Sequence, residues 1–381
     1  MIAIPCVAIN FDSKSQFFLY IKQLITLVLV AFLINACTTL KREDQYQLVI
    51  KKVPFSLLSG WVTASDREAV QALMNSCEEI SRRPRNNAFF SNPMWKQNKE
   101  WQAICFKTLL IDSDAKAKLF FEHNFDPYLV TNKGNQEGLF TGYYEIEVKG
   151  SLNRDDIYKY PIYAKPLELE KVSKSLSREK IDQGALNNRG LEIAWLSSPV
   201  DVLFLQVQGS GKIRLPDEEI LRVHYSGRNG YDYYPIGKYM VEKGYINKDQ
   251  LSAQAIRSWL DNHIDQAQTV IEKNQSYIFF KLAEKEGPEG AEGIPLTAQR
   301  SIAVDTRFIP FGTPVWLDIA PRQGFDDHGL HQLVIAQDTG SAIKGPVRGD
   351  VFFGAGSYAE DKAGTFKNEG RYFVLLPKNG I

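Results

Sequence analysis

Helical and strand-like segments alternate in four blocks along this chain, and their order constrains its fold more than any other feature. Helical periodicity dominates before residue 137, and short strand-like runs separated by Gly, Pro and Asn begin at Gly138. A second helical block runs from Ser252 to about Ile271, and strand-like sequence resumes at Tyr277. We therefore predict a mainly β fold with flanking helices, in which one β domain is inserted into a discontinuous one.

The charge balance argues against polyanionic partners. Lys and Arg number 45 and Asp and Glu number 45, so the formal net charge of the 381-residue chain is zero. Because such a chain has no net field to attract nucleic acid, we expect no nucleic-acid partner. The 17 tyrosines offer flat apolar faces with hydroxyl groups, a combination that suits neutral, amphipathic ligands such as sugars.

An export signal is predicted near the N-terminus. The segment Lys22–Cys37 (KQLITLVLVAFLINAC) has a positive charge, an apolar run and a small residue before a cysteine. Its apolar part, Leu24–Ile34, is too short to span a bilayer. We expect residues 1–36 to be a signal peptide whose true start lies near Lys22, Cys37 to be the lipidated residue, and 37–46 to be a polar tether.

Two cysteines fall on the apolar faces of predicted helices. A helix is predicted from a capping box at Ser65 to Pro84 and another over about 98–111, with Cys77 and Cys105 facing inward. In an oxidising compartment the two would form a disulfide, and the alternative is a pair of buried free thiols. Neither is a credible nucleophile, because apolar burial raises the pKa of a thiol.

Two aspartates in the segment Val334–Gly356 (VIAQDTGSAIKGPVRGDVFFGAG) are the main candidates for chemistry. Asp338 and Asp350 lie beside apolar, strand-like residues, where a carboxylate costs free energy unless it is paired or hydrogen-bonded. A partly desolvated carboxylic acid can hold its proton near neutral pH and act as a general acid. The alternative is an Asp-Thr-Gly turn with a separate surface aspartate.

A third strand-associated aspartate, Asp305, precedes these two in the chain. Three such carboxylates could structure loops, bind a cation or form an acidic cluster with perturbed pKa values. The pair His328 and His331 has a spacing compatible with metal ligands, but no third ligand accompanies it. We therefore expect no metal site and no cofactor.

The segment QVQGSGK (206–212) only superficially resembles a phosphate loop, because it lacks the first glycine and the Ser or Thr that would bind magnesium. We predict an interior strand over the apolar run Val202–Val207. On a strand, Gln206 and Gln208 would project from one face, where their amides could bind sugar hydroxyls. A solvated sheet face is the alternative.

Five motifs make the sequence resemble the membrane-bound lytic murein transglycosylase A family. They are LFTGYYE (139–145), LQVQGSGKIRLPD (205–217), GYDYYPIG (230–237), LTAQRSIAVDTRFIPFGTPVW (296–316) and AQDTGSAIKGPVRGD (336–350). The last two contain Asp305, Asp338 and Asp350 and resemble the three-aspartate barrel segment of that family. The resemblance covers roughly residues 47–377.

The resemblance implies a double-psi β-barrel domain built from residues 47–137 and 273–381. A smaller β domain, residues 138–272, is inserted between them, and a sugar-binding groove lies at the junction. Enzymes of the family cleave the β-1,4 bond between N-acetylmuramic acid and N-acetylglucosamine in peptidoglycan without consuming water. Their product carries a 1,6-anhydro ring on the muramyl residue.

The resemblance also implies roles for individual residues. Asp350 corresponds to the catalytic acid and Asp338 to its supporting carboxylate, and Asp305 is the third aspartate of the motif. Apart from the resemblance, the cation Lys344 could support the reaction by stabilising developing charge. The residues that we expect to line the sugar groove are Tyr143, Tyr144, Gln206, Gln208 and Ser210.

Two other functions are compatible with the same residues. A glycoside hydrolase would use two carboxylates, such as Asp338 with Asp350, and a non-catalytic lipoprotein would only bind the wall. The expected partners are peptidoglycan glycan strands and, through Cys37, a membrane, with cell-wall synthesis or division proteins as further candidates. By resemblance to bacterial lipoproteins, the lack of an aspartate at position +2, where Cys37 is +1, favours the periplasmic face of the outer membrane.

Overall fold

Strands dominate the computed structural model, which describes residues 45–64, 66–170, 174, 176–283, 287–321 and 329–379. Its strands are β1 Leu48–Lys52, β2 Phe125–Asn132, β3 Gly138–Ser151, β4 Tyr160–Tyr163, β5 Glu192–Leu196, β6 Ser210–Arg214, β7 Ile220–Arg228, β8 Ile278–Leu282, β9 Ser301–Val304, β10 Pro314–Ile319, β11 Leu330–Asp338, β12 Arg348–Ala355 and β13 Lys367–Pro377. The helices of seven or more residues are α1 Arg67–Arg82, α2 Asn98–Thr108, α3 Asp114–Asn124, α4 Pro199–Gln208, α5 Ile236–Glu242, α6 Ala253–Asn262, α7 Ile264–Ile271 and α8 Ser357–Thr365.

Six strands close into a barrel. Following the hydrogen bonds, β3 pairs with β12, then β9, β11, β10 and β13, and β13 returns to β3. The pairs β3–β12 and β9–β11 are parallel and the others are antiparallel. All six residues of β10 are buried, so both faces of this strand are covered. The prediction of a double-psi β-barrel within a mainly β fold is confirmed.

A second sheet shares its longest strand with the barrel. The first half of β3 pairs with β12 and β13, whereas its second half pairs in parallel with β6, followed by β7 and β8. One strand therefore fixes the two sheets relative to each other. β8 belongs to this second sheet although it lies beyond the predicted boundary at residue 272.

The segment predicted as an interior strand is the helix α4. Ser198 caps it by accepting a hydrogen bond from the Val200 amide, Pro199 occupies its first turn, and Gly209 ends it with φ 78°. A short apolar run does not distinguish a buried strand from a buried helix, and here the capping residues decide. The prediction for Val202–Val207 was wrong, and Gln206 and Gln208 therefore point in different directions.

Three helices that precede β2 cover one side of the barrel. α1 and α2 have the predicted bounds to within a few residues, and Ser65 of the proposed capping box lies outside the described residues. Cys77 of α1 and Cys105 of α2 are joined in a disulfide. Among the described residues, no helix has both the length and the hydropathy that crossing a bilayer requires.

Loss of this disulfide should destabilise the protein measurably. The bond joins cysteines 28 residues apart, and loop-closure entropy then predicts a loss of about 3–4 kcal/mol in the double variant Cys77→Ala/Cys105→Ala. Urea unfolding of that variant, with reduced wild type as the matched control, measures the difference. A loss below about 1 kcal/mol in both samples would contradict a stabilising role for the bond.

Candidate active site

Four residues on adjacent barrel strands form a continuous row. Ala303 of β9 pairs with Asp338 on one side and with Asp350 on the other, and Asp350 in turn pairs with Thr141 of β3. Directly paired residues project to the same face of a sheet. Since strands are about 4.8 Å apart, the backbones of the two aspartates are separated by two strand spacings, roughly 10 Å.

Alternation along β12 directs Asp350 out of the barrel. Gly349 and Val351 are buried, whereas Arg348 and Asp350 are only half-buried. A Cβ at position 349 would lie 2.5 Å from the Ile302 side chain, so only glycine lets β12 approach its neighbours this closely. The inward glycine and the outward acid are thus consequences of the same strand packing.

The Asp350 carboxyl has one hydroxyl donor and one nearby cation. Its Oδ1 accepts a hydrogen bond of 2.5 Å from Thr141 Oγ1, and that hydroxyl oxygen accepts one of 2.8 Å from Arg348 Nη2. Burial raises the pKa of Asp350 above its ordinary value, and the Arg348 charge and the Thr141 hydrogen bond only partly oppose this. A carboxylic acid in this setting holds its proton to higher pH than an exposed aspartate.

Asp338 is held by a larger set of donors. It accepts hydrogen bonds from the Tyr143 hydroxyl at 2.7 Å, the Ala291 amide at 2.9 Å and the Thr339 amide at 2.8 Å. Burial raises the pKa of Asp338, and these donors offset part of the shift. Because three donors hold the Asp338 carboxylate and one hydroxyl donates to Asp350, Asp338 acts as a fixed acceptor and Asp350 is better placed to carry a mobile proton.

Asp305 has a structural role. Its carboxylate forms a two-point ion pair with Arg307, at 2.9 and 2.6 Å, and accepts a hydrogen bond of 2.7 Å from the Gly345 amide. Burial alone would raise the pKa of Asp305, but the Arg307 and Gly345 hydrogen bonds outweigh it and lower the pKa. Of the three interpretations left open for Asp305, this geometry fits the structuring of a loop, here the turn that leads to β12.

A cavity of about 260 Å³ opens beside Asp350 between the barrel and the second sheet. Barrel residues and the turn before β12 form one wall, and α4, β8 and the loops around them form the other. The lining residues are Thr141, Gly142, Arg178, Leu203, Gln206, Val207, Tyr233, Asn274, Ser276, Ile278, Gly340, Ser341, Ala342, Ile343, Arg348 and Asp350. Asp350 is the one carboxylic acid among the described residues of this lining.

Of the five residues predicted to line a sugar groove, Gln206 alone lines this cavity. Tyr143 and Tyr144 are 8% and 6% exposed, and their hydroxyls donate to Asp338 and Glu360. Gln208 accepts a hydrogen bond from the Tyr144 amide, and Ser210 is buried in β6. The two tyrosine rings offer no open face for stacking on a sugar.

The remaining predicted residues lie away from the cavity lining. Lys344 is exposed on the turn before β12, and the cation beside Asp350 is Arg348. His331 contacts Asp318 at 3.1 Å, and His328 lies outside the described residues. Within the described ranges, no three His, Cys, Asp or Glu side chains are grouped as metal ligands would be.

Sequence reasoning did not single out Thr141, Arg348, Tyr233 or Arg178. Thr141, Arg348 and Tyr233 lie inside the quoted motifs, and Arg348 stands two positions before Asp350, which on a strand means the same face. Nothing in the sequence singles out Arg178, because its contacts are with Gln206 and with backbone groups near residue 275.

Comparison with known proteins agrees with this architecture. The family described as the MltA specific insert domain matches residues 139–281, and the 3D domain family matches residues 300–376. Membrane-bound lytic murein transglycosylase A of Vibrio cholerae is 35% identical over 255 residues, which cover 65% of this chain and 68% of that protein. The Escherichia coli K12 protein of the same name is 34% identical over 254 residues, with the same shares covered.

Solved structures extend the match over most of the chain. A membrane-bound lytic murein transglycosylase from Agrobacterium tumefaciens has a TM-score of 0.77 and 33% identity, and covers 86% of this chain and 97% of its own. E. coli MltA with bound chitohexaose has a TM-score of 0.66 and 28% identity, over 82% and 90% of the two chains. The protein is therefore of the class that combines a 3D domain with an MltA specific insert domain. The chain belongs to the membrane-bound lytic murein transglycosylase A family.

The substitution Thr141→Val should raise the pKa of Asp350 further. The valine keeps the side-chain shape but removes the hydroxyl that stabilises the charged carboxylate, so the proton is held to higher pH. Carboxyl-carbon NMR titration measures the pKa, and Thr141→Ser, which keeps the hydroxyl, is the control. An unchanged or lower pKa in the valine variant would contradict the assigned contact.

Proposed function

We propose that this protein is a lytic transglycosylase that cleaves the β-1,4 bond between N-acetylmuramic acid and N-acetylglucosamine in peptidoglycan. The observation that carries the proposal is the Asp350 carboxyl, which faces a cavity and whose pKa is raised by burial. The names of the relatives support the substrate, and the chitohexaose bound to E. coli MltA supports a glycan strand as the ligand.

The proposed reaction uses Asp350 twice. Protonated Asp350 donates its proton to the glycosidic oxygen as the C1–O bond breaks and positive charge develops on the muramyl ring. The resulting carboxylate then takes the proton from the C6 hydroxyl of the same ring while that oxygen attacks C1. Asp350 is protonated again at the end, and the muramyl residue carries a 1,6-anhydro bond.

The cavity favours this route over hydrolysis. An ordinary glycosidase needs a second carboxylate to activate water or to attack the sugar, and the described cavity lining contains Asp350 alone. A hydroxyl already attached to the sugar is held close to C1 and replaces that water at a high effective concentration. Asp338, one strand beyond Ala303, is held by its own hydrogen-bond donors, and the Asp350 charge contributes to the raised pKa of Asp338.

The variant Asp350→Asn should lose turnover and keep the fold. Removal of the proton donor is expected to lower kcat by about 10³-fold, within the range of general acid–base catalysis. Mass spectrometry of digested sacculi should show wild-type products that are one water lighter than hydrolytic products. Asp361→Asn, which removes an exposed charge on α8, is the control. Normal turnover in Asp350→Asn would contradict the assignment.

Activity should fall on the alkaline side of the optimum. The acid form of Asp350 is the active one, and its raised pKa keeps that form populated at pH values where an exposed aspartate is ionised. The rate is therefore retained below this pKa and lost as pH rises through it. The alkaline limb of kcat/KM measures this, and in Thr141→Val it should move to higher pH. A rate that increases steadily with pH would contradict an acid role.

We further propose the limits of the two domains and the cellular location of the protein. Residues 47–137 and 273–381 supply most of the catalytic barrel domain and 138–272 most of the insert. The first half of β3 completes the barrel, and β8 completes the sheet of the insert. Cys37 carries the lipid that tethers the protein to the periplasmic face of the outer membrane. The names of the relatives support membrane association, and a lipidated N-terminal cysteine provides a stable anchor without a spanning helix.

The variant Cys37→Ser should therefore lose its lipid. Metabolic labelling with a radioactive fatty acid should mark the wild type and leave Cys37→Ser unlabelled, and the variant should leave the membrane fraction. Cys6→Ser, which alters a cysteine upstream of the proposed cleavage site, is the matched control. Equal labelling of Cys37→Ser and wild type would show that the attachment site is elsewhere.

A further inference from the structure

Arg178 is a buried cation on the wall of the cavity, and its contacts are incomplete. Only 2% of the residue is exposed. Its Nε donates to the Asn274 carbonyl at 2.7 Å, and its Nη2 donates to Gln206 Oε1 at 2.5 Å and to the Ser276 carbonyl at 2.8 Å. Among the described residues, Nη1 has no acceptor, and no carboxylate lies within ion-pair distance of this guanidinium.

Arg348 faces the same cavity and also lacks an ion pair within the described part of the chain. It donates to Thr141 Oγ1 at 2.8 Å and to the Leu139 carbonyl at 3.1 Å. The one acid in the described lining, Asp350, is uncharged when it is ready to donate its proton. At that stage two positive charges face the cavity and no negative side chain there balances them.

Such an arrangement favours an anionic ligand. Arg178 has hydrogen bonds and lies over the Tyr277 ring, 5.1 Å from its centroid, but it has no ion pair among the described residues. A buried charge without an ion pair costs free energy, and a guanidinium matches the geometry of a carboxylate better than that of any neutral group. The Tyr233 phenol lines the cavity within electrostatic reach of both Arg178 and Asp350 and makes no hydrogen bond to a described residue. Its hydroxyl is a further donor on the wall of the same cavity.

We propose that the cavity recognises a sugar carboxylate, and that Arg178 Nη1 is its principal ligand with Tyr233 beside it. This inference rests on the proposed function, which makes the ligand a glycan that contains N-acetylmuramic acid. The lactyl group of that sugar is a free carboxylate in peptide-free strands and a neutral amide where a peptide is attached. Only the carboxylate adds a negative charge of its own to the hydrogen bond from the guanidinium, so the site prefers peptide-free glycan.

The direct test compares two matched oligosaccharides. One is a peptide-free hexasaccharide of alternating N-acetylglucosamine and N-acetylmuramic acid, and the other is the same compound with each carboxyl group reduced to an alcohol. Calorimetry with Asp350→Asn, which prevents turnover and imitates the uncharged acid, gives both affinities. The carboxylate form should bind about 10- to 100-fold more tightly, the range for one hydrogen bond to a charged group. Equal affinities would overturn the proposal.

A second variant assigns the preference to Arg178. The variant Arg178→Lys is made in the Asp350→Asn background. Its ammonium group cannot make the three observed hydrogen bonds of the guanidinium and the proposed contact with the ligand at once. The preference should therefore fall to about threefold or less. Arg189→Lys, at an exposed arginine that pairs with Glu168, should retain the full preference. A full preference in Arg178→Lys would overturn the role of this residue. If that variant does not fold, the comparison of the two oligosaccharides still decides the proposal.

Failure of this inference is distinguishable from failure of the proposed function. Anhydro products from the wild type together with equal affinities would overturn the carboxylate site alone. Ordinary reducing ends in the products, together with a strong preference for the carboxylate form, would overturn the transglycosylase reaction and leave the carboxylate site in place.

Discussion

The pairing of β12 between β9 and β3 is the constraint on which the site depends. It sets Asp338, Ala303, Asp350 and Thr141 in one row across four strands of a closed barrel. The barrel leaves these strands no free edge, so a shift in register would move every side chain of β12 to the opposite face. The position of the acid is therefore fixed by backbone hydrogen bonds rather than by a flexible loop.

The two aspartates of this row differ in the groups around them. Asp338 accepts several donors and is absent from the described cavity lining, whereas Asp350 accepts one hydroxyl and faces the cavity. Burial raises the pKa of both, but only Asp350 is placed to give its proton to a ligand. A single exchangeable proton suits a reaction in which the substrate supplies its own nucleophile. The guanidinium groups of Arg178 and Arg348, which have no ion pair among the described residues, suit a ligand that supplies its own negative charge.

Much of the fold could be predicted from sequence. The order of helical and strand-like segments, the spacing of glycines and the sequence motifs are all signals that can be recognised locally in the chain. Asp338, Asp350 and the pair Cys77 and Cys105 were found in this way. The apolar run of α4 is compatible with a strand, and only the capping residues Ser198, Pro199 and Gly209 mark it as a helix. Arg178 was missed for a different reason: its partners Asn274 and Ser276 are nearly a hundred residues away, and only the folded chain brings them together.

The central claim is that one carboxyl group and the substrate's own C6 hydroxyl complete the cleavage. Digestion of glycan strands with reduced ends in water enriched in ¹⁸O tests this most directly, because hydrolysis must place a solvent oxygen on C1. Mass spectrometry of the newly formed muramyl ends should show the same mass in enriched and in ordinary water. Ends that are heavier in the enriched water would contradict the mechanism and indicate a hydrolase.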